Sequence, residues 1–299
     1  MARSFTYSFF HSFVRSGRLL LALVVSCSIA PCFSATVLVD AGKVFLDASK
    51  SGFAREIGFA RIFLYTIMLN NPGNLNRKAF QALEYLFGSQ EQAPGKPCAC
   101  GNGYQLPQIM CDWLAGTYTG QEIIRAVNRR INAGECNHIL SRSQKNCIKR
   151  TIKCIFDPVI HARQTHLIPE GVRLIQALKE AGNRVIVLSN YAADAWEQLS
   201  QKPEFQDLIA YLGEENLVIS GQIGMIKPHR DIYEYVLKKY KLNPKNTPVF
   251  FIDDQQVNLD AAEKVGIVGL CLEEGNYSAL YQQLTELDID FVSRVSYSY

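Results

Sequence analysis

The sequence predicts an α/β fold in which a doubly wound parallel sheet carries a helical insertion directly after its first strand. Three observations predict it. Short apolar runs at 36–39, 185–188 and 249–252 have the length and β-branched content of buried strands. From residue 169 onward such runs alternate with amphipathic helical patterns, which implies right-handed crossovers and helices on both faces of the sheet. Between 48 and 165 the texture changes to helical patterns with few β-branched runs.

In chain order, residues 1–35 read as a leader. A basic, Phe- and Ser-rich lead ends at Arg18, an apolar run covers 19–30, and small residues lead into Phe33-Ser34-Ala35. The run is too short to span a bilayer, so a secretory signal cleaved near Ala35 is expected, and with it an exported, periplasmic or secreted protein. Val24-Val25-Ser26-Cys27 also resembles a bacterial lipoprotein cleavage site, with Cys27 as the lipidated residue. Any membrane contact would then run through the leader or that lipid.

The first strand, 36–40, delivers Asp40. Helical patterns follow at 53–69 and 75–87, separated by the turn-favouring Asn70-Asn71-Pro72-Gly73-Asn74. Residues 88–104, rich in Gly, Pro and Cys, form a loop. Helices are expected at 108–114 and 121–131, with Gly116 ending the first and Thr119 and Glu122 forming a capping box that opens the second. Another is expected at 143–156, with Lys145, Lys149 and Lys153 along one face. Pro169-Glu170 opens a helix stopped at Gly182, before a strand at 184–188. Pro228 is expected to open a helix that buries Ile232, Tyr235 and Val236. A short helix at 258–265 ends at Gly266 before a strand at 267–272. The resulting organisation is a leader at 1–35, a core of 36–47 plus 166–299, and a cysteine-rich helical cap at 48–165.

Composition excludes some classes. With 48% hydrophobic and 20% charged residues the chain is not disordered by default. The formal charge of +3 arises from Arg3, Arg15 and Arg18, and without them 28 basic face 28 acidic residues, so net charge shows no nucleic-acid footprint. Of nine cysteines, Cys27 and Cys32 lie in the leader and Cys271 in an apolar run, as an inert thiol. Cys98, Cys100, Cys111, Cys136, Cys147 and Cys154 cluster in the insertion, an even number that suits disulfides in an oxidising compartment. A zinc site from Cys98, Cys100, Cys111 and Cys136 or His138 is the alternative, although Cys98-Ala99-Cys100 lacks the gaps of common zinc knuckles.

The chemistry is carried by four short segments. Asp40 follows the first strand, Ser189-Asn190 ends the second core strand, Lys227 sits in Met225-Ile226-Lys227-Pro228, and Asp253-Asp254 follow Val249–Ile252. Strand ends of an open parallel sheet are where such a fold builds its site. A carboxylate there can attack phosphorus. Two adjacent carboxylates repel unless a cation or solvent separates them; one of them, with Asp40 and a backbone carbonyl, suits Mg²⁺. The hydroxyl and amides of Ser189-Asn190 suit phosphate oxygens, and Lys227 suits charge balance, screening Asp40 from Asp254.

On these residues the chain resembles the haloacid dehalogenase superfamily, in the subgroup with a helical cap after the first strand of a Rossmann-like core. The resemblance covers 36–47 and 166–290, together with Trp113-Leu114-Ala115-Gly116-Thr117-Tyr118-Thr119-Gly120-Gln121-Glu122 in the cap. It implies Asp40 as nucleophile, Ser189 as phosphate ligand, Lys227 as charge balancer, Asp254 as direct Mg²⁺ ligand and Asp253 acting through water. The backbone of Ala41 and Gly42 would join Ser189, Asn190 and Lys227 around the phosphate, with Gly42 also among the metal ligands. Asn258 falls where the family often has a polar residue steadying the acidic loop.

One position departs from most phosphatases of that family. They carry a second Asp two residues after the nucleophile, as the acid for the leaving oxygen; here it is Gly42. General acid catalysis contributes roughly 10²–10⁴-fold, so poor leaving groups should react slowly. Sugar-1-phosphate phosphatases of the resembling subgroup also carry Gly there. His161 and His166 are candidates for the missing acid. Eight basic residues between Arg125 and Lys153 against the single acid Glu135 suggest a solvated face, or a positive roof that draws in phosphates. The expectation is a Mg²⁺-dependent phosphatase acting on a small phosphorylated metabolite, sugar phosphates among the candidates. A 2-haloacid dehalogenase, which lacks the acidic pair, and a catalytically weak binding protein are the alternatives.

Overall fold

The computed structural model describes residues 35–57, 74–88, 106–135, 137–138 and 140–289. The leader, the segments 58–73 and 89–105, and the end of the chain lie outside them. The strands are β1 (Thr36–Val39), β2 (Leu46–Ala48), β3 (Thr165–Leu167), β4 (Arg184–Ser189), β5 (Leu217–Ile219), β6 (Val249–Asp253) and β7 (Val268–Cys271). Five of them form one parallel sheet in the order β5-β4-β1-β6-β7. β1 is central, with Val37 opposite Val185 on one side and Phe250 on the other.

The continuous apolar runs follow from burial on both faces. Val37, Val39, Val187 and Ile252 point into a core with Leu174, Ile175 and Leu178 of helix Pro169–Glu180 and with Leu280 and Leu284. Leu38, Ile186, Leu188 and Phe251 point the other way, onto Ile232, Tyr233, Val236, Leu259 and Ala262. Alternate residues of one strand therefore serve opposite cores.

The insertion leaves and re-enters the core through a two-stranded antiparallel ribbon. In it Leu46 faces Leu167, Asp47 faces His166 and Ala48 faces Thr165. Its described helices are Lys50–Ile57, Asn74–Phe87, Gln108–Leu114, Gly120–Asn132, Arg142–Phe156 and Pro158–Gln164. Their apolar faces gather Leu83, Trp113, Ile123, Val127, Ile148, Ile152 and Phe156, joined by Ala192 and Ala195 from the core. The expected capping box at Thr119 and Glu122 is present. Ser141 and Gln144 form a second one, which moves the start of the following helix to Arg142.

Several expectations change. The helix expected over 53–69 begins at Lys50 and is described to Ile57. The helix Pro158–Gln164 was not expected, although Asp157 caps it and Pro158 stands in its first turn. Pro228 follows a cis peptide bond and lies in a turn; the helix opens later, at Arg230. That shift buries Tyr233 where Tyr235 was expected. Helices Ala193–Ser200 and Pro203–Leu212 and strand β5 fill a stretch the sequence reading left unassigned. Cys154 is a buried free thiol, so the six insertion cysteines do not all pair. Cys98, Cys100 and Cys136 lie outside the described residues. Among the described residues no helix is long and apolar enough to cross a membrane.

Candidate active site

Adjacent placement of β1 and β6 brings two chain segments together at the carboxyl edge of the sheet. The backbone N–H of Asp40 donates to the Ile252 carbonyl at 2.8 Å, so the first residue after β1 is fixed against the last turn of β6. The loop then closes tightly: Phe45 and Leu46 donate to the Ala41 carbonyl, and Lys43 donates to Leu46. Lys43 takes a left-handed φ of 60° to make that turn, a conformation costing an L-residue roughly 1–2 kcal/mol.

Lys227 lies almost wholly inside, with its Nζ 2.8 Å from Asp40 Oδ1 and 2.7 Å from Asp253 Oδ2. It thus screens Asp40 from Asp253, where the sequence pointed to Asp254. Asn190 sets its height: the Asn190 side chain donates to the Lys227 carbonyl and accepts from the Lys227 N–H, both at 2.8 Å. The side-chain amide of Asn190, expected on phosphate, is committed to this clamp. Asp253 is fully buried. Its Oδ1 accepts from the Gln255 N–H at 2.8 Å, and Asn258 Nδ2 donates to both its oxygens at 3.0 Å. Tyr233, through its hydroxyl, donates to the Asn258 carbonyl at 2.8 Å and braces that residue in turn.

These bonds divide the acidic pair. Asp253 spends its oxygens on protein donors, whereas Asp254 is half-buried and lines a cavity. Asp40, Asp253 and Asp254 each bring an oxygen within 4.8 Å of the others. Burial foremost, then the neighbouring carboxylates, pushes Asp40 up from 3.8 to about 7, against the pull of Lys227. Burial and the Asp253 charge push Asp254 up to about 6. Burial by itself would lower the Lys227 ammonium, but Asp253 and Asp40 outweigh it and hold its pKa above 10.5. Three crowded carboxylates against one ammonium leave an excess of negative charge, the donor set a hard divalent cation takes.

A cavity of about 400 Å³ opens over this floor. Asp40, Gly42, Ser189, Asn190, Lys227 and Asp254 line it, while Ala41 is buried behind the loop. The opposite wall includes Trp113, Leu114, His161 and Tyr191. His161 is carried there by the unexpected helix Pro158–Gln164, and burial lowers its pKa from 6.5 to about 4, with Asp194 acting weakly against the change. His166 is exposed on the ribbon, away from the cavity. None of the eight basic residues between Arg125 and Lys153 lines the cavity; Arg130 pairs with Glu135, and Lys145 and Lys149 donate to Asn137 and Asn132. They form a solvated face. Sequence reasoning missed Tyr191 and Asp194, although their position directly after Ser189-Asn190 was the available signal.

Residues 121–266 match the model of a family described as haloacid dehalogenase-like hydrolases. Among curated proteins, the sesquiterpene phosphatase astK of Aspergillus oryzae is 34% identical over 101 residues, which are 34% of this chain and 48% of that protein. The chain thus spans about half the length of that relative. Among solved structures, the HAD family enzyme bt-2542 of Bacteroides thetaiotaomicron, in complex with magnesium and inorganic phosphate, is 19% identical with a TM-score of 0.46, covering 83% of this chain and 98% of that one. A structure described as a dehalogenase is 16% identical with a TM-score of 0.48, covering 84% and 96%. Both scores fall below the level at which such a likeness bears on function. The matched segment, by contrast, runs from the insertion helix Gly120–Asn132 through β4, β5 and β6 and takes in Ser189, Lys227 and both acids of the pair, but not Asp40, Ala41 or Gly42. Residues 121–266, set on a parallel sheet of the expected order, are thus similar to the haloacid dehalogenase-like hydrolases.

Proposed function

We propose that this protein is a haloacid dehalogenase-like hydrolase, a Mg²⁺-dependent phosphatase that acts on a small phosphomonoester through an aspartyl-phosphate. The observation that carries the reading is the Asp40 carboxylate, held 2.8 Å from Lys227 and clustered with Asp253 and Asp254 under one cavity. A buried carboxylate so placed is a nucleophile with a charge partner. The curated relative named as a phosphatase supports the same chemistry.

In the first step an Asp40 oxygen attacks phosphorus, the ester P–O bond breaks, and the leaving oxygen keeps the electron pair and takes a proton from water, since Gly42 supplies no side-chain acid. In the second, water attacks the aspartyl-phosphate and returns Asp40 as a carboxylate with inorganic phosphate. Ser189 at the end of β4 offers its hydroxyl to the phosphate, beside the backbone of Ala41 and Gly42. Lys227 balances the charge on Asp40 and on the incoming group. The residues fit a divalent cation: Asp40, Asp254 and the Gly42 carbonyl would hold it, with Asp253 as the braced partner behind. When bound, Mg²⁺ neutralises phosphate charge that the single ammonium does not balance.

The acidic pair and its bracing weigh against dehalogenation, which uses the nucleophile on carbon without a metal. Asp40→Asn should abolish phosphatase turnover of the Mg²⁺-loaded protein while its unfolding curve stays cooperative; a variant as active as the parent would end this reading. Activity unaffected by a chelator would turn it toward the dehalogenase. Export through residues 1–35 belongs to the same proposal, and N-terminal sequencing of the mature chain tests it.

A further inference from the structure

The cavity has two halves of different chemistry. Asp40, Asp254, Ser189 and Lys227 make up the charged and polar part of its lining, and Trp113, Leu114, Tyr191 and Ala192 the largely apolar part. The rings of the apolar part form a continuous wall. Trp113 and His161 have centroids 6.1 Å apart, His161 and Tyr191 5.3 Å, and Tyr191 rests edge-on against Trp196 at 5.6 Å.

Two polar atoms of this wall are used within it. Trp113 Nε1 donates to Asp194 at 3.1 Å, and Thr165 Oγ1 donates to the His161 carbonyl at 2.9 Å. The cations on the lining are Lys43 and Lys227. Lys43 is paired with Asp47, and Lys227 lies between Asp40 and Asp253. Of the other polar side chains on the lining, Asp47 is paired with Lys43, Thr165 bonds the His161 carbonyl and Asn258 holds Asp253. A substrate body rich in hydroxyls would therefore strip them of water against groups already engaged, and a second anionic group would compete with these carboxylates for both cations. An apolar body would instead exchange water for ring faces.

Resting on the phosphatase reading, we propose that the site takes the phosphate ester of a flat, apolar alcohol, aromatic or polyunsaturated, whose hydrocarbon body lies against Trp113, Leu114 and Tyr191. The phosphate sits between Asp40, Ser189 and Lys227, and the aromatic wall decides which esters enter. This selects against the sugar phosphates that Gly42 suggests, because selection by such a wall depends on apolar area and not on hydroxyl pattern.

The test is calorimetric binding to the full-length protein in Mg²⁺, with inorganic phosphate, methylphosphonate, 1-naphthylmethylphosphonate and a polyhydroxyalkyl phosphonate as probes. The naphthyl compound is expected to bind roughly tenfold or more tighter than methylphosphonate, and the polyhydroxyalkyl compound no tighter than methylphosphonate. In Leu114→Ser and in Tyr191→Ser the naphthyl-to-methyl ratio should shrink toward one. Equal affinities in the parent, or preference for the polyhydroxyalkyl probe, overturn the proposal and leave the phosphatase reading standing. Failure of every probe to bind, inorganic phosphate included, together with no turnover of any phosphomonoester, overturns the phosphatase reading and this proposal with it.

Discussion

Lys227 is the residue on which the charge of the site balances, since its ammonium stands between two carboxylates that would otherwise face one another without a cation. Replacing it by Met removes the buried positive charge between Asp40 and Asp253 and over the Phe251 ring, whose centroid lies 5.0 Å from Nζ, while keeping a stem of similar length. Breaking a buried pair in this way costs about 3–5 kcal/mol, so Lys227→Met should lose turnover and lower the urea midpoint together. A variant of parental stability would show that the triad is not the buried ion cluster described. Gly42 is the opposite case, a missing group with room to be supplied. A Cβ placed there would stand 3.7 Å from Asp40 Oδ2, in ordinary contact. Gly42→Asp should therefore raise kcat on alkyl phosphates by about tenfold or more and leave aryl phosphates, which need no proton, nearly unchanged. An equal effect on both would remove general acid catalysis as the explanation. His161 predicts a pH effect on stability. Its pKa falls on folding from 6.5 to about 4, so its contribution is fully present above 6.5 and is lost as pH drops through 4. The ring is half-buried, which limits the loss to the order of 1–2 kcal/mol. His161→Phe should lose that much less than the parent between pH 7 and 4; parallel unfolding curves would exclude it.

Among the elements, helix Ala193–Ser200 joins the insertion to the core through the packing of Ala195 and through the polar side chain of Asp194. Asp194 accepts from Trp113 Nε1 at 3.1 Å and from the Gly120 N–H at 2.7 Å, at the start of helix Gly120–Asn132. Nearby, Ser220 Oγ donates to the Leu114 carbonyl at 2.6 Å, and a Cβ on Gly116 would meet the Gly221 carbonyl at 2.1 Å. Asp194→Ala should destabilise by about 1–3 kcal/mol and raise KM more than it lowers kcat, since it frees the wall and leaves the carboxylate floor; steady-state kinetics showing the reverse split would place Asp194 in the chemistry. These elements also show what sequence makes legible. Capping pairs such as Thr119 with Glu122, and the fully apolar runs of β1, β4 and β6, are local signals that packing does not change, and they led to the right strand ends. Helix Pro203–Leu212 is legible in Phe205, Leu208 and Leu212 between Pro203 and Gly213, although the sequence reading passes over it, whereas the three-residue β5 carries no periodicity long enough to stand out from its surroundings. The helix after Pro228 starts late because the chain there turns to seat Lys227, a tertiary demand that overrode the usual place of proline at a first helical turn. In the same way the order of the acids was readable, but the choice of Asp253 over Asp254 as partner of Lys227 depends on Asn258 and Gln255, whose reach only the folded loop defines.

At the scale of the whole molecule, the basic residues of the insertion and the acids of the site are kept apart. The basic residues lie off the cavity, the acids meet at the sheet edge, and the aromatic residues share the cavity lining with them. The ribbon of β2 and β3 adds one more property, because Ala48 and Thr165, more than a hundred positions apart in sequence, are neighbours across an antiparallel ladder. The polypeptide can therefore be spliced at that point by a short turn without disturbing the register of the five-stranded sheet, so the roof is exchangeable as a cassette and new specificities can be grafted onto an unchanged catalytic base. Such a graft must still cover Ala192 and Ala195, which the present roof shields from water.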